Sequence, residues 1–223
     1  MSVPERRRRL SPDRRRAHLL GVGARLFAER PYEEVLMEEI AERAGVSRAL
    51  LYRHFPSKPE LFAAVFRQAS ADLLVRTRLD PGDSLAEQLV EGLDAHLDYF
   101  IANRHAVLAA NRQLAGDVVI RTIITEELDE LRVRLLGALP LADEAARPAV
   151  SHVLSSWLVF VRVLVLDWLT EETCTRVELR DACLGAVLGA LGPFLPPGDG
   201  GRFGYHRVES DESAASPQVP LKI

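Results

Sequence analysis

From Ile40 to Phe55 the chain reads IAERAGVSRALLYRHF. Ala41 and Gly45 lie four apart, so both sit on one helical face and let a second helix approach closely. Gly45 is also the residue type that ends a helix in the left-handed conformation. Val46 plugs the corner, and Ser47 offers a side-chain oxygen to the free N–H groups of the next turn. From Arg48 a second short helix is predicted, with Leu51 and Phe55 facing inward at i and i+4. Arg48, Tyr52, Arg53 and His54 are left to face outward. Two short helices around a tight glycine turn form a helix-turn-helix, whose second helix enters a DNA major groove N-terminus first. At that end Arg48 is placed to fork onto a guanine, and Ala49 to pack on a thymine methyl.

The flanks narrow the reading. LFAERPYEEV closes an amphipathic helix before the block, and PSKPELFAAVF follows it. The stretch from about Arg14 to Phe66 resembles the N-terminal domain of the tetracycline-repressor (TetR) family of bacterial regulators. The matching residues are Leu26-Phe27-Ala28, Tyr32, Ile40-Ala41, Ala44-Gly45-Val46-Ser47, Leu51-Tyr52-Arg53-His54-Phe55, and Lys58 followed by Leu61. The resemblance implies phosphate contacts from Tyr52, His54 and Lys58. Packing between helices is the other reading of Tyr52, and a surface position without a partner that of His54. Ser47 and Arg53 complete the candidate DNA-contacting set. Two departures stand out. Pro31 occupies a position where the family commonly has glycine. Leu36 stands where the second helix usually begins with a capping hydroxyl that also touches a phosphate. The missing cap is worth about 1 kcal/mol, and Leu36 is left out of the DNA-contacting set.

Charge divides the chain at the same place. Through Lys58 there are 13 Lys+Arg against 8 Asp+Glu, and beyond it 15 against 24, although the whole chain is only −4. A basic head on an acidic body points to a polyanion partner at the head alone. Cys174 and Cys183 cannot build a bridged framework and read as buried thiols of a cytoplasmic protein. No apolar segment follows the basic N-terminus, so no signal peptide is expected. Val153–Leu169 is the one long apolar run. Arg162 and Asp167 interrupt it, and it falls short of about 20 residues, so it reads as a buried helix rather than a membrane span.

The pattern elsewhere is helical throughout, giving an all-α chain. Residues 1–10, with Arg6-Arg7-Arg8-Arg9, form a disordered basic arm that either contacts DNA or is a solvated tail. Residues 11–58 form a three-helix DNA-binding domain opened by Ser11-Pro12-Asp13. Residues 59–195 form a helical effector-binding and dimerisation domain, and 196–223 a disordered tail rich in Pro, Gly, Ser and acids. Within the body a helix runs from Lys58 to about Arg78. Asp80-Pro81-Gly82-Asp83 then breaks it, and Ser84 caps the next helix, which ends near Asn103. Further helices are expected over His105–Leu114, Val118–Leu139, Asp143–Thr170 and Glu178–Leu195.

The apolar residues of this body serve either a partner surface or a pocket. Gly185, Ala186, Gly189 and Ala190 give the last helix a small-residue face, used within the subunit or against another. The family resemblance implies a homodimer through the last two helices and a palindromic double-stranded operator. It also implies a small-molecule effector inside the body. The candidate pocket residues are His96, Tyr99, Phe100, Asn111, Arg112, His152, Trp157, Phe160, Arg162 and Trp168. The large apolar ones suit a hydrophobic effector, and core packing accounts for them equally. Arg162 needs a carboxylate or an anionic ligand. Asp167, Glu126, Glu127 and a subunit interface are its candidate partners. The six histidines show no metal-ligand spacing, and no cofactor is implied. No glycine-rich phosphate loop, nucleophile elbow or paired-carboxylate motif supports an enzyme. The expected function is a transcriptional regulator, a repressor released from its operator by a small molecule. The alternatives are a TetR-like activator, or a ligand-binding or interaction module without effector-controlled DNA release.

Overall fold

The computed structural model describes residues 11–77 and 85–196. The expected arm, the break at Asp80–Asp83 with its Ser84 cap, and the tail beyond Pro196 lie outside the described residues. Among those residues the regular elements are all helical: α1 Pro12–Glu29, α2 Met37–Arg43, α3 Arg48–His54, α4 Lys58–Arg76, α5 Leu85–Ala102, α6 Arg104–Leu108, α7 Val118–Ala138, α8 Arg147–Glu171 and α9 Arg176–Leu191.

Side-chain caps set most of the starts. Ser11 accepts the Arg14 N–H at 3.4 Å, and Pro12 occupies the first turn, where no backbone donor is needed. Ser57 caps α4 by accepting the Glu60 N–H, and Asp117 caps α7 through the N–H groups of Val119 and Ile120. Several boundaries differ from the sequence reading, and the last helix ends at Leu191 rather than Leu195, where a 3-10 turn at Gly192–Phe194 follows it. The last helix starts at Arg176 rather than Glu178, because Thr175 and Glu178 satisfy each other's backbone N–H groups in a capping box. Helix α8 starts at Arg147, since Asp143 caps a separate 3-10 turn at Glu144–Ala146. The helix expected over His105–Leu114 is broken. It leaves α-geometry after Leu108 and passes through a π turn at Ala109–Gln113.

Two apolar cores organise the chain. The head core joins α1, α2, α3 and the first half of α4 through Leu26, Phe27, Ile40, Leu51 and Phe62. It also takes Ala109 and Ala110 from the π turn and Ile120 and Ile123 from α7, so it extends past Lys58 into the body. Phe62 meets the rings of Phe27 and Tyr32 edge-on at 5.0 and 5.2 Å. The body core runs from Leu73 at the end of α4 through α5, α7, α8 and α9. The segment Glu144–Glu171 is long and apolar enough to cross a membrane, yet Val150, Leu154, Trp157, Val161 and Val165 are buried inside the helical body.

Gly45 has φ of +63° and nothing within 4 Å of the position a Cβ would take. Substitution there is therefore opposed by backbone strain and not by crowding. Gly45→Ala is expected to lower unfolding stability by about 1–2 kcal/mol, and Gly45→Asn by less. Urea denaturation of the two variants beside the parent chain checks both.

Candidate functional site

The turn between α2 and α3 is closed by two backbone hydrogen bonds. The Val46 N–H donates to the Ala41 carbonyl at 3.0 Å, and the Gly45 N–H to that of Glu42 at 2.9 Å. This pairing is the Schellman arrangement, which needs the left-handed residue that Gly45 provides. Ser47 then caps α3, accepting the Leu50 N–H at 3.3 Å. His18 Nε2 lies 3.2 Å from the Ala44 carbonyl and ties α1 to the same corner. With Leu51 and Phe55 buried, Arg48, Ala49, Tyr52 and Arg53 form one exposed face along α3, and His54 is half-buried at its end.

The charged groups around this face are partly engaged. Arg48 Nη1 is 3.8 Å from a Glu38 carboxylate oxygen, a loose pair between exposed side chains. Lys58 Nζ donates to the Glu33 carbonyl at 3.3 Å and sits 4.3 Å from the centre of the Tyr32 ring. Desolvation draws its pKa down against the opposing field of Glu33. Arg16 lies over the Phe55 ring at 4.9 Å, so its charge stays close to the base of α3. Leu36 is 57% exposed and makes no capping hydrogen bond. Glu38 and Glu39 in the first turn of α2 supply the negative charge that this helix start favours.

The body encloses a partly open cavity of about 590 Å³, counting its mouth. It lies between α5, α7, α8 and Thr77 just past α4, and its walls are mostly Leu, Val and Trp side chains. Of the candidate pocket residues, His96 and Trp157 line it. Phe100 meets the His96 ring in a tilted contact at 4.1 Å between ring centres, and Tyr99 packs on the surrounding core, where burial raises its pKa. Trp157 already uses its Nε1–H, donating to the Cys183 carbonyl at 2.8 Å.

The remaining candidates lie elsewhere. Arg112 points outward to Asp167 at 3.2 Å, His152 is exposed, and Phe160 is 43% exposed on the outer side of α8. Trp168 donates to the Cys174 carbonyl away from the cavity. Several lining residues were absent from the sequence reading, among them Leu131, Arg134 and Gly92. The readable signal was Gly92 inside the Leu89, Leu93, His96, Leu97 stripe of α5, an inward position with no side chain. No group of three or more His, Cys, Asp or Glu among the described residues could hold a metal ion.

Behind the cavity lies a buried polar cluster. Arg162 Nη1 donates to Glu127 at 3.1 Å, and its Nε donates to Asn111 Oδ1 at 2.8 Å. The second Glu127 oxygen accepts the Ser70 hydroxyl at 2.5 Å. Asn111, on the π turn, donates to the Val107 carbonyl at 2.8 Å. The Arg162 and Glu127 side chains are only 7% and 4% exposed. Of the other acids considered for Arg162, Asp167 pairs with Arg112 and Glu126 with Arg67.

Residues 19–65 match the sequence profile described as bacterial regulatory proteins of the tetR family. The HTH-type transcriptional repressor Rv3405c of Mycobacterium tuberculosis is 30% identical over 185 residues, spanning 79% of this chain and 89% of that protein. The chain belongs to the TetR family of bacterial regulatory proteins. The HTH-type transcriptional activator FasR of Mycolicibacterium smegmatis is 39% identical over 93 residues, 41% of this chain. That match spans 42% of FasR, less than half its length. A crystal structure of a tetR-family transcriptional regulator from Streptomyces coelicolor superposes with a TM-score of 0.74 at 26% identity, covering 82% of this chain and 83% of that one. The TetR-family likeness therefore takes in the helical body as well as the head.

Two expectations concern the interior of this TetR-family body. Arg162→Met leaves Glu127 as an unpaired buried acid and is expected to destabilise by about 3–5 kcal/mol. Arg162→Met with Glu127→Met removes both charges and should recover most of that loss in denaturant melts. The second concerns His96, whose pKa burial lowers from the ordinary 6.5 to about 3, with Arg162 adding to the effect. The unfolded chain takes up this proton as pH falls below 6.5 and the native chain does not, so stability is lost on acidification and regained as pH rises. Between pH 6 and 5 this contributes a slope approaching about 1.4 kcal/mol per unit, and His96→Gln is expected to remove it.

Proposed function

We propose that this protein is a dimeric transcriptional repressor that reads a palindromic operator with two copies of α3. A small molecule in the body cavity releases it. The observation that carries the reading is the exposed face of Arg48, Ala49, Tyr52 and Arg53, held by the closed turn and the Ser47 cap. Arginine suits a guanine edge, alanine a thymine methyl, and Tyr52 with Arg53 a phosphate. The roles proposed for Ser47, His54 and Lys58 are weaker, since the Ser47 hydroxyl caps α3, His54 is half-buried and Lys58 is held by Glu33 and Tyr32. The name of FasR favours activation, but its likeness spans 41% of this chain against 79% for the repressor Rv3405c.

A dimer is supported by an unused apolar face. Val159, Phe160 and Val163 stand outward on α8, and Ala182, Ala186, Gly189 and Ala190 are exposed on α9. A Cβ added at Gly189 would meet nothing within 4 Å, so the small-residue stripe is open within the subunit. A second copy laid across these helices buries both stripes and pairs two heads, which an operator with half-sites about 34 Å apart requires.

Fluorescence anisotropy with DNA flanking the protein's own gene tests the reading. Specific binding is expected, with Arg48→Ala losing about 1–3 kcal/mol and relaxing base preference. Tyr52→Ala should weaken all sequences alike, and Phe160→Asp should yield a monomer with little operator affinity. Binding that is weak, indifferent to sequence and abolished by moderate salt would defeat the proposal.

A further inference from the structure

Among the described residues that line the cavity, His96 carries a buried polar atom without a partner. His96 is 8% exposed, and its Nε2 makes no hydrogen bond to the protein. The walls are mostly apolar, with Leu93, Leu131, Leu135, Val161 and Trp157 among them, and Thr77, Gln88 and Arg134 are the other polar side chains of the lining. A buried nitrogen left in this condition loses the free energy of a hydrogen bond that solvent would otherwise supply. A ligand that brings an oxygen to it recovers that loss and buries its own apolar body at the same time.

We infer that the cavity binds an uncharged, mainly apolar small molecule whose single hydroxyl or carbonyl oxygen hydrogen-bonds to His96 Nε2. This rests on the reading of the cavity as the effector site and names the class of effector. A neutral imidazole offers Nε2 as either donor or acceptor, depending on tautomer. A hydroxyl meets both forms, and a carbonyl meets the form that carries the proton on Nε2.

The cations nearby disfavour an anionic head. Arg162 is committed to Glu127 and Asn111, and it packs over the Phe100 ring rather than facing an empty partner position. Arg134, the one arginine or lysine among the described lining residues, pairs with Glu130 at 2.7 Å and donates to the Leu74 carbonyl. A carboxylate entering here would be desolvated with no free positive charge to offset the loss.

The test uses the full-length chain near neutral pH and two pairs of probes matched in skeleton: decanol with decanoate, and naphthylmethanol with naphthoate. Binding is measured by calorimetry, and operator release is followed in parallel samples. Each alcohol is expected to bind at least about 10-fold more tightly than its carboxylate, whose charge would be desolvated without a free cation to pair it. His96→Leu should weaken alcohol binding about 10-fold, the worth of one hydrogen bond to a buried group, and His96→Gln should restore most of it. Gly92→Met adds a side chain where a Cβ meets nothing within 4 Å, so it should fill the cavity and abolish binding without unfolding the body.

Carboxylates binding as tightly as alcohols, or alcohol affinity unchanged in His96→Leu, would overturn the inference and leave the cavity reading intact. Binding that survives Gly92→Met, or no binding by any probe, would overturn both. Alcohol binding that is lost in His96→Leu but releases no operator would support the ligand class and remove the effector role alone.

Discussion

The buried ion pair between Arg162 and Glu127 is the constraint to which the body's helices are fitted. Two charges at 7% and 4% exposure lose most of their hydration, and their mutual attraction offsets that loss only when the remaining polar atoms are satisfied. Here they are met from other elements. Ser70 of α4 closes the second carboxylate oxygen, and Asn111 of the π turn takes the guanidinium Nε. The pair thus specifies the relative positions of α4, the π turn, α7 and α8. An apolar pair at the same positions would tolerate sliding, because dispersion contacts carry little direction.

That constraint lies directly against the head. Helix α4 belongs to both cores, giving Leu61, Phe62, Val65 and Phe66 to the head and Leu73 to the body, with Ser70 between them. The π turn is shared as well, since Ala109 and Ala110 pack in the head core while Asn111 faces Arg162. An extra residue per turn at this point lets successive side chains serve opposite sides of one short segment. The head therefore rests on two body elements that meet at one polar cluster. A displacement of α7 or α8 reaches it without passing through α4 alone.

The head was legible in the sequence because its determinants are local. Gly45, Ser47 and the Leu51–Phe55 spacing fix a turn, a cap and a buried face within sixteen residues, and each acts on its immediate neighbours. The body was legible only as helices. Which face of α8 turns inward depends on the other helices, and α8 is apolar nearly all round. Trp157 and Phe160 look equivalent in the sequence, yet one lines the cavity and the other stands outward. Arg112 and Arg162 were grouped together for the same reason. One of them reaches an exposed acid and the other a buried one. The π turn at Ala109–Gln113 carries no local signal, whereas the Thr175–Glu178 capping box was readable and shifts the last helix by two residues.

Helix α8 brings these features to one place. Trp157 and Val161 line the cavity, Arg162 holds the polar cluster, and Val159, Phe160 and Val163 form the outward apolar face. At 3.6 residues per turn, positions 157–163 cover every direction around the helix, so it cannot rotate to suit one demand without disturbing the others. A molecule filling the cavity shifts the equilibrium only if one placement of α8 holds it better than another. Trp157 and Val161 line the cavity from α8, opposite residues of α5 and α7, so a displacement of α8 against those helices would change its shape. Arg162 travels with them, and its hydrogen-bond partners Glu127 and Asn111 stand on the elements that support the head. On the proposed reading of an effector-released repressor, coupling between cavity and head would turn on whether this one ion pair keeps its register when the cavity is full.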